Sequence, residues 1–381
     1  TTLTKNQPFT SRTGSRNFST PAFTIRQVVE GEKIVNGESV AVRPGDENAG
    51  VAGAQKSDLL IASAEAKYDS LGDGGGQDLI VSVSSDQGKN WKYSYPFYFP
   101  DSVGSGVEGA TTVSNPVIVD KEILNSNAKE PGFVMGGTIY VFANVYPGGV
   151  AVTSDDRFEA PKAGSGYVTV NDQKRLALTT KDSGKDASNP STAEEGSKYE
   201  YYVGEFQEGR ANVMSMTDNS ATDYQVDQWY NLYKKNSSNG YDALLQDQLG
   251  TADGETAKKV QQNVFYADSD LHVYKTGYVM CVTSEDNGLT WSVPEILNPS
   301  LYETEDTVIT LSAGKGLKTS ADRIVIPATI EKADADASAS MLWKCTTDES
   351  HGWHHADVPA ISAEEGNSSP TWTRGGEIVE L

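Results

Sequence analysis

The stretch TSEDNGLTWSVPEI, from Thr283 to Ile296, decides how this chain folds. From Ser284 it runs Ser-x-Asp-x-Gly-x-Thr-Trp, with a hydroxyl, a carboxylate, a glycine and a tryptophan on a fixed beat. In a tight turn an Asp side chain accepts backbone N–H groups and a Gly takes the positive φ the turn needs. The Trp then lands on the next strand and packs under the hairpin. The beat recurs in SSDQGKNW, as Ser84, Asp86, Gly88, Asn90 and Trp91. A worn copy, TTDESHGW, keeps Thr346, Asp348 and Trp353, with Ser350 and Gly352 in the Gly and Thr places. An apolar strand runs into each copy, and repeats that each end a strand mark stacked supersecondary units. Asp86, Asp286 and Asp348 therefore read as scaffold rather than catalysts, with Trp91, Trp291 and Trp353 expected to be buried beneath outer hairpins.

Length and charge bound the rest. At 381 residues the chain can bury a substantial core. Its formal charge of -22 argues against a nucleic-acid partner, because phosphate binding needs clustered Lys and Arg. No stretch approaches the roughly 18 to 20 apolar residues of a membrane span. The first residue is Thr1 and no hydrophobic leader is present, so an upstream segment is expected to have been removed. Cys281 and Cys345 are the only cysteines, and the count alone leaves two free thiols or one bridge open. Sequons at Asn17, Asn236 and Asn367 are compatible with secretion.

Short turn-bounded strands recur along the chain: DLLIASAEAKY from Asp58, DLIVSVSSD from Asp78, GTIYVFANVY from Gly137, YVMCVTSED from Tyr278, RIVIPATI from Arg323 and SMLWKCTTD from Ser340. Helical periodicity is weak and confined to the region of Ala243. Strands without intervening helices predict an all-β sandwich, barrel or propeller, and stacked repeats of short strands favour the propeller. Residues 1–19 read as an N-terminal extension and 20–381 as propeller. Within that span, about 159–273 is polar enough to read as an elaborated loop.

The repeated motif resembles the Asp box of sialidases, six-bladed β-propellers that remove terminal sialic acid. IASAEAKYDSLGD is similar to the sialidase segment that carries the catalytic acid, and GTIYVFANVYPGG to an inner strand of the second blade. The Thr283 stretch with SAGKGLKTSADRIVIPATI resembles a third-blade segment of larger bacterial-type enzymes. The resemblance covers about residues 20 to 381. It implies an exo-α-sialidase that releases or transfers sialic acid from glycoconjugates, secreted or at a cell surface, with no cofactor or metal. Sialidases use a tyrosine nucleophile. The substrate carboxylate calls for arginines, whose planar fork binds it in bidentate fashion.

By this resemblance Asp73 is the general acid, with Asp78 as runner-up, and Lys67 and Arg26 bind substrate. Two departures stand out. The family's Phe-Arg-Ile-Pro is absent: FTIRQVV offers Arg26, while FSTPAF keeps Phe18 and Pro21 but puts Ser19 in the arginine's place. Near the end, Glu365 or its neighbour Glu364 would polarise the nucleophile, although Ser369 occupies the nearest ungapped slot. About four of six blades are expected within the chain, ending on EIVEL, with the remaining arginines and the tyrosine on a further segment or chain. HGWHH, with His351, His354 and His355, lacks partners at metal-ligand spacing and reads as a hairpin loop. The alternative to an enzyme is a sialidase-like glycan-binding or adhesion protein that kept the scaffold and lost the chemistry.

Overall fold

The computed structural model describes residues 8–9, 15, 17–30, 32–35, 38–41, 55–68, 76–97, 99, 110–124, 134–147, 166–180, 199–247, 259–274, 276–303, 306–332, 335–347 and 352–357. The chain is all-β, with one four-residue helix, Asn298–Leu301, among the described residues.

Three antiparallel units of four strands form the frame. The first runs Asn17–Glu30, Gln55–Lys67, Gln77–Ser84 and Lys92–Phe97, each strand pairing with the next. The second is Thr112–Leu124, Val134–Tyr146, Tyr278–Ser284 and Glu295–Ile296. The third is Asp306–Leu311, Arg323–Lys332, Ala335–Cys345 and His354–Asp357. A parallel contact between Gln77 and Thr112 joins the first two. Among the described residues the sheets do not close on themselves. The Thr283 stretch thus ends the second unit and belongs with GTIYVFANVY rather than with a separate blade. EIVEL lies outside the described residues.

The middle unit shows why these sequences read as continuous apolar runs. Successive strand side chains point to opposite faces. Along Val134–Tyr146, Ile139, Val141, Ala143 and Val145 join a core shared with the first unit, while Phe142 joins one shared with the third. A strand buried on both faces loses the polar alternation of a half-exposed one. Trp353 closes the second core edge-to-face against Phe142, with ring centroids 5.2 Å apart.

The region expected to be an elaborated loop carries ten strands between Tyr167 and Val273. Eight of them make a sheet inserted between the second and third strands of the second unit. Its polar composition comes from a solvent-facing side, while Val203, Val213, Val226 and Leu232 enter the same core as Ile61 and Leu79. Phe265 anchors the insert, with its ring centroid 5.3 Å from that of Tyr278 and 5.9 Å from that of Phe99.

Both intact boxes are turns held by their own side chains. Ser84 Oγ donates to Asp86 Oδ1 at 2.8 Å and accepts Gly88 N–H at 2.9 Å. Asp86 also takes the Asn90 backbone N–H at 2.8 Å and its amide at 2.7 Å. Ser284, Asp286, Gly288 and Thr290 repeat this pattern. Gly88 and Gly288 have φ of 79° and 81°, as the turn demands. Trp353 is buried as expected, but Trp91 and Trp291 are only half-buried, because each indole keeps its N–H on a polar partner: Gly88 O for Trp91 and Ser94 Oγ for Trp291. Asp348 lies outside the described residues.

The Asp86 hydrogen bonds, led by the Asn90 backbone N–H, hold its carboxyl down at about 2 against an ordinary 3.8. A depressed carboxyl pKa contributes stability above the unfolded value that is lost as pH falls through the folded one. The protein should therefore lose thermal stability between pH 3.8 and about 2, and Asp86→Asn should flatten part of that slope. Melting curves across the window, compared with wild type, check this. An unchanged slope would mean that the turn does not need the charge.

Candidate functional site

The box turn of the first unit and the strand ends that flank residues 69–75, the stretch containing Asp73, stand at opposite ends of that unit. Leu60 pairs with Ser84 at the box end, and Lys67 pairs with Gln77 at the other. There Tyr68 N–H donates to Gly76 O at 3.2 Å, tying together the segments on either side of Asp73. Asp73 itself, like Glu365 and Ser369, lies outside the described residues.

Glu65 is the centre of this end. In IASAEAK the residues Ser63, Glu65 and Lys67 share one face of the strand and Ala62, Ala64 and Ala66 the other. Glu65 is 2% exposed. Its Oε2 accepts Ser19 Oγ and Thr20 Oγ1, both at 2.8 Å, and its Oε1 accepts Asn115 N–H at 2.9 Å. The buried Lys67 ammonium stands 3.7 Å from Oε2. A buried carboxylate is tolerable only when paired and hydrogen-bonded, and here four groups share it.

Matched backbone irregularities bring those groups in. The first strand bulges between Ser19 and Ala22, with Thr20 at φ 52° before Pro21. The opening strand of the second unit bulges between Ser114 and Val117, with Asn115 at φ 55° before Pro116. Bulges re-aim side chains and are over-represented next to active sites. Asn115 continues the network to Asn144, whose Oδ1 accepts Leu311 N–H at 2.8 Å and whose amide donates to Ile309 O at 2.9 Å. All three units thus meet through one polar chain. Ser63 and Ser114 are buried nearby, and their hydroxyls have no partner among the described residues.

Arg26 is elsewhere. It pairs with Leu59 at the box end, roughly 25 Å along the strand from Lys67 at about 3.3 Å per residue. Its guanidinium is 1% exposed and forms a bidentate pair with Asp120, with further bonds to Gly137 O at 3.2 Å and Asn287 Oδ1 at 3.0 Å. The expectation that Arg26 binds a substrate carboxylate is corrected: its donors are committed to internal acceptors and it clamps the first unit to the box turn of the second. The bulge bearing Ser19 is the first strand's contribution to the loop end, which favours the FSTPAF alignment over FTIRQVV. Asp78, considered as an alternative acid, is fully buried and accepts Tyr68 OH at 2.7 Å and Phe99 N–H at 3.0 Å, which makes it structural. No cluster of His, Cys, Asp and Glu among the described residues could hold a metal. Cys281 and Cys345 form no disulfide with one another.

No protein-family model matches the chain. It is 24% identical to an anhydrosialidase from Macrobdella decora over 343 residues, covering 84% of this chain and 39% of that protein. It is also 24% identical to sialidase B from Streptococcus pneumoniae over 345 residues, 85% of this chain and 42% of that one. The crystal structure of an intramolecular trans-sialidase from Ruminococcus gnavus superposes with a TM-score of 0.64 at 22% identity, covering 93% of this chain and 63% of that one. The chain is similar to sialidases over most of its length, shares their fold, and spans about two fifths of the curated relatives it matches.

Proposed function

We propose that the chain forms part of a sialidase-type β-propeller that releases, or transfers within the sugar, the terminal sialic acid of a glycan. The observation that carries this reading is the division of labour between the two ends of the units. Self-contained box turns lie at one end, while at the other the buried Glu65 and Lys67 gather with the half-buried Ser19 and Asn115 where the strands flanking Asp73 terminate. In this reading Asp73 protonates the leaving glycan, Lys67 supplies positive charge towards the substrate carboxylate, and Glu65 fixes Lys67. Glu365 polarises the nucleophile. Transfer to one of the sugar's own hydroxyls is included because the relatives are named as an anhydrosialidase and an intramolecular trans-sialidase.

A six-bladed ring is part of the proposal. Phe23 and Ile25 are 53% and 61% exposed on the edge strand of the first unit, where a soluble protein would hide them. Further strands, from another segment or chain, would cover them. Action outside the cell or at its surface is likewise inferred; among the described residues no helix is long and apolar enough to cross a membrane.

One observation favours a second reading, a glycan-binding protein without turnover. Ser19, not an arginine, occupies the bulge at the loop end, so one leg of a carboxylate clamp is missing. Incubation with sialyllactose decides between them. The enzyme should yield lactose together with free or anhydro sialic acid, separable by mass. Saturable binding with no lactose formed would establish the binder, and neither result would remove both readings.

A further inference from the structure

The inserted sheet carries a groove of about 530 Å³, lined in part by Gly204, Glu205, Glu208, Arg210, Asn212 and Gln225. It opens where the sheet is irregular. The strand Tyr201–Gln207 bulges between Val203 and Phe206, and a Cβ on Gly204 would stand 2.9 Å from Asn212 O. Glycine inside a strand often marks a place where another group approaches the backbone closely. The hairpin that follows turns through Glu208 and Gly209, at φ 51° and 83°, the two positive values that match strand twist.

The groups lining the groove are held but not spent. The Arg210 guanidinium lies 3.6 Å from the Tyr233 ring centroid, and Tyr233 OH donates to Asp227 Oδ2 at 3.2 Å, fixing the ring. Stacking occupies the guanidinium face and leaves its in-plane N–H groups to donate. Gln225 Nε2 donates to Asn212 Oδ1 at 2.9 Å, which orients both amides and leaves the Asn212 amide N–H and the Gln225 oxygen available. Glu205 and Glu208 are exposed and enter no ion pair among the described residues.

We propose that this groove is a second carbohydrate site, for an uncharged oligosaccharide. Sugar hydroxyls both donate and accept, which suits a surface that alternates carboxylate, amide and guanidinium. An anionic sugar is disfavoured, since two carboxylates face one guanidinium in a chain of net charge -22. The choice of a sugar over other neutral polar ligands rests on the function proposed above. Such a site would hold the asialo portion of a glycan on the insert and raise the local concentration of further termini.

Titration of the intact protein with an N-acetyllactosamine oligomer, followed by ligand-observed NMR and calorimetry, tests this. Binding should be detected, and Arg210→Met and the pair Asn212→Ala with Gln225→Ala should each weaken it about tenfold, the worth of one or two hydrogen bonds that include a charged partner. Circular dichroism should verify that each variant is folded. No binding at millimolar sugar, or equal binding by all variants, would overturn the proposal. Sialic acid release from the same samples is read separately: neutral-sugar binding without release upholds this site and counts only against turnover at the other.

Discussion

Asp73→Asn should lower the release of sialic acid from a natural glycan by about two to four orders of magnitude, the usual worth of general-acid catalysis. The leaving oxygen of a sugar departs poorly without a proton, and an amide cannot give one. A sialoside of an activated phenol leaves unaided, so the same variant should retain most of its rate on that substrate. This difference separates an acid from a residue that merely shapes the pocket, whose loss would harm both substrates alike. Equal losses on the two would remove Asp73 from the acid role. Full activity on both would point to another proton donor, and the buried Asp78, bonded to Tyr68 and Phe99, is poorly placed to be one.

Arg26→Met should cost about 3 to 5 kcal/mol of stability, the range found when one partner of a buried ion pair is removed. The expense comes chiefly from what remains. Asp120, with a side chain only 6% exposed, would keep its charge in the interior without its guanidinium, and Gly137 O and Asn287 would each lose a donor. Arg26→Met with Asp120→Leu should recover much of the loss, because a buried pair exchanged for apolar groups is often close to neutral. Chemical denaturation of the two single variants and the double supplies the cycle. If the single variant melts like wild type, Arg26 is not the clamp between the first two units. A folded Arg26→Met protein should retain its kcat, since the residue sits at the box end.

What could be read from the sequence was what is local. A box turn is closed by bonds spanning at most four residues, so Ser84, Asp86, Gly88 and Asn90 announce it without the rest of the fold. Pairing of Arg26 with Asp120 spans 94 residues and no spacing rule reaches it, which is why an arginine at the start of an apolar strand could be taken for a ligand-binding one. Glu65 was missed although its signal was present: Ser63, Glu65 and Lys67 form one polar face on a strand otherwise built of small apolar residues. The insert was hidden for another reason. Its strands face solvent on one side and are interrupted by bulges, so their period of two breaks every few residues and the composition reads as loop.

The position of that insert also sets the order in which the chain can be built as it is synthesised. Val134–Tyr146 finds its first neighbour, Thr112–Leu124, at once, but its second, Tyr278–Ser284, pairs Tyr278 with Val145 and emerges roughly 130 residues later. At about 5 to 20 residues per second, the growing polypeptide carries an open strand edge for on the order of ten seconds. The insert fills that interval with hairpins between near neighbours, which form in microseconds. Its Val203, Val213 and Leu232 then bring apolar surface against the half-built second unit before the late strand arrives. A stalled nascent chain that ends before Tyr278 should resist proteolysis both within the insert and along Val134–Tyr146, so the interruption that splits the unit in sequence also shields its open strand until Tyr278–Ser284 arrives.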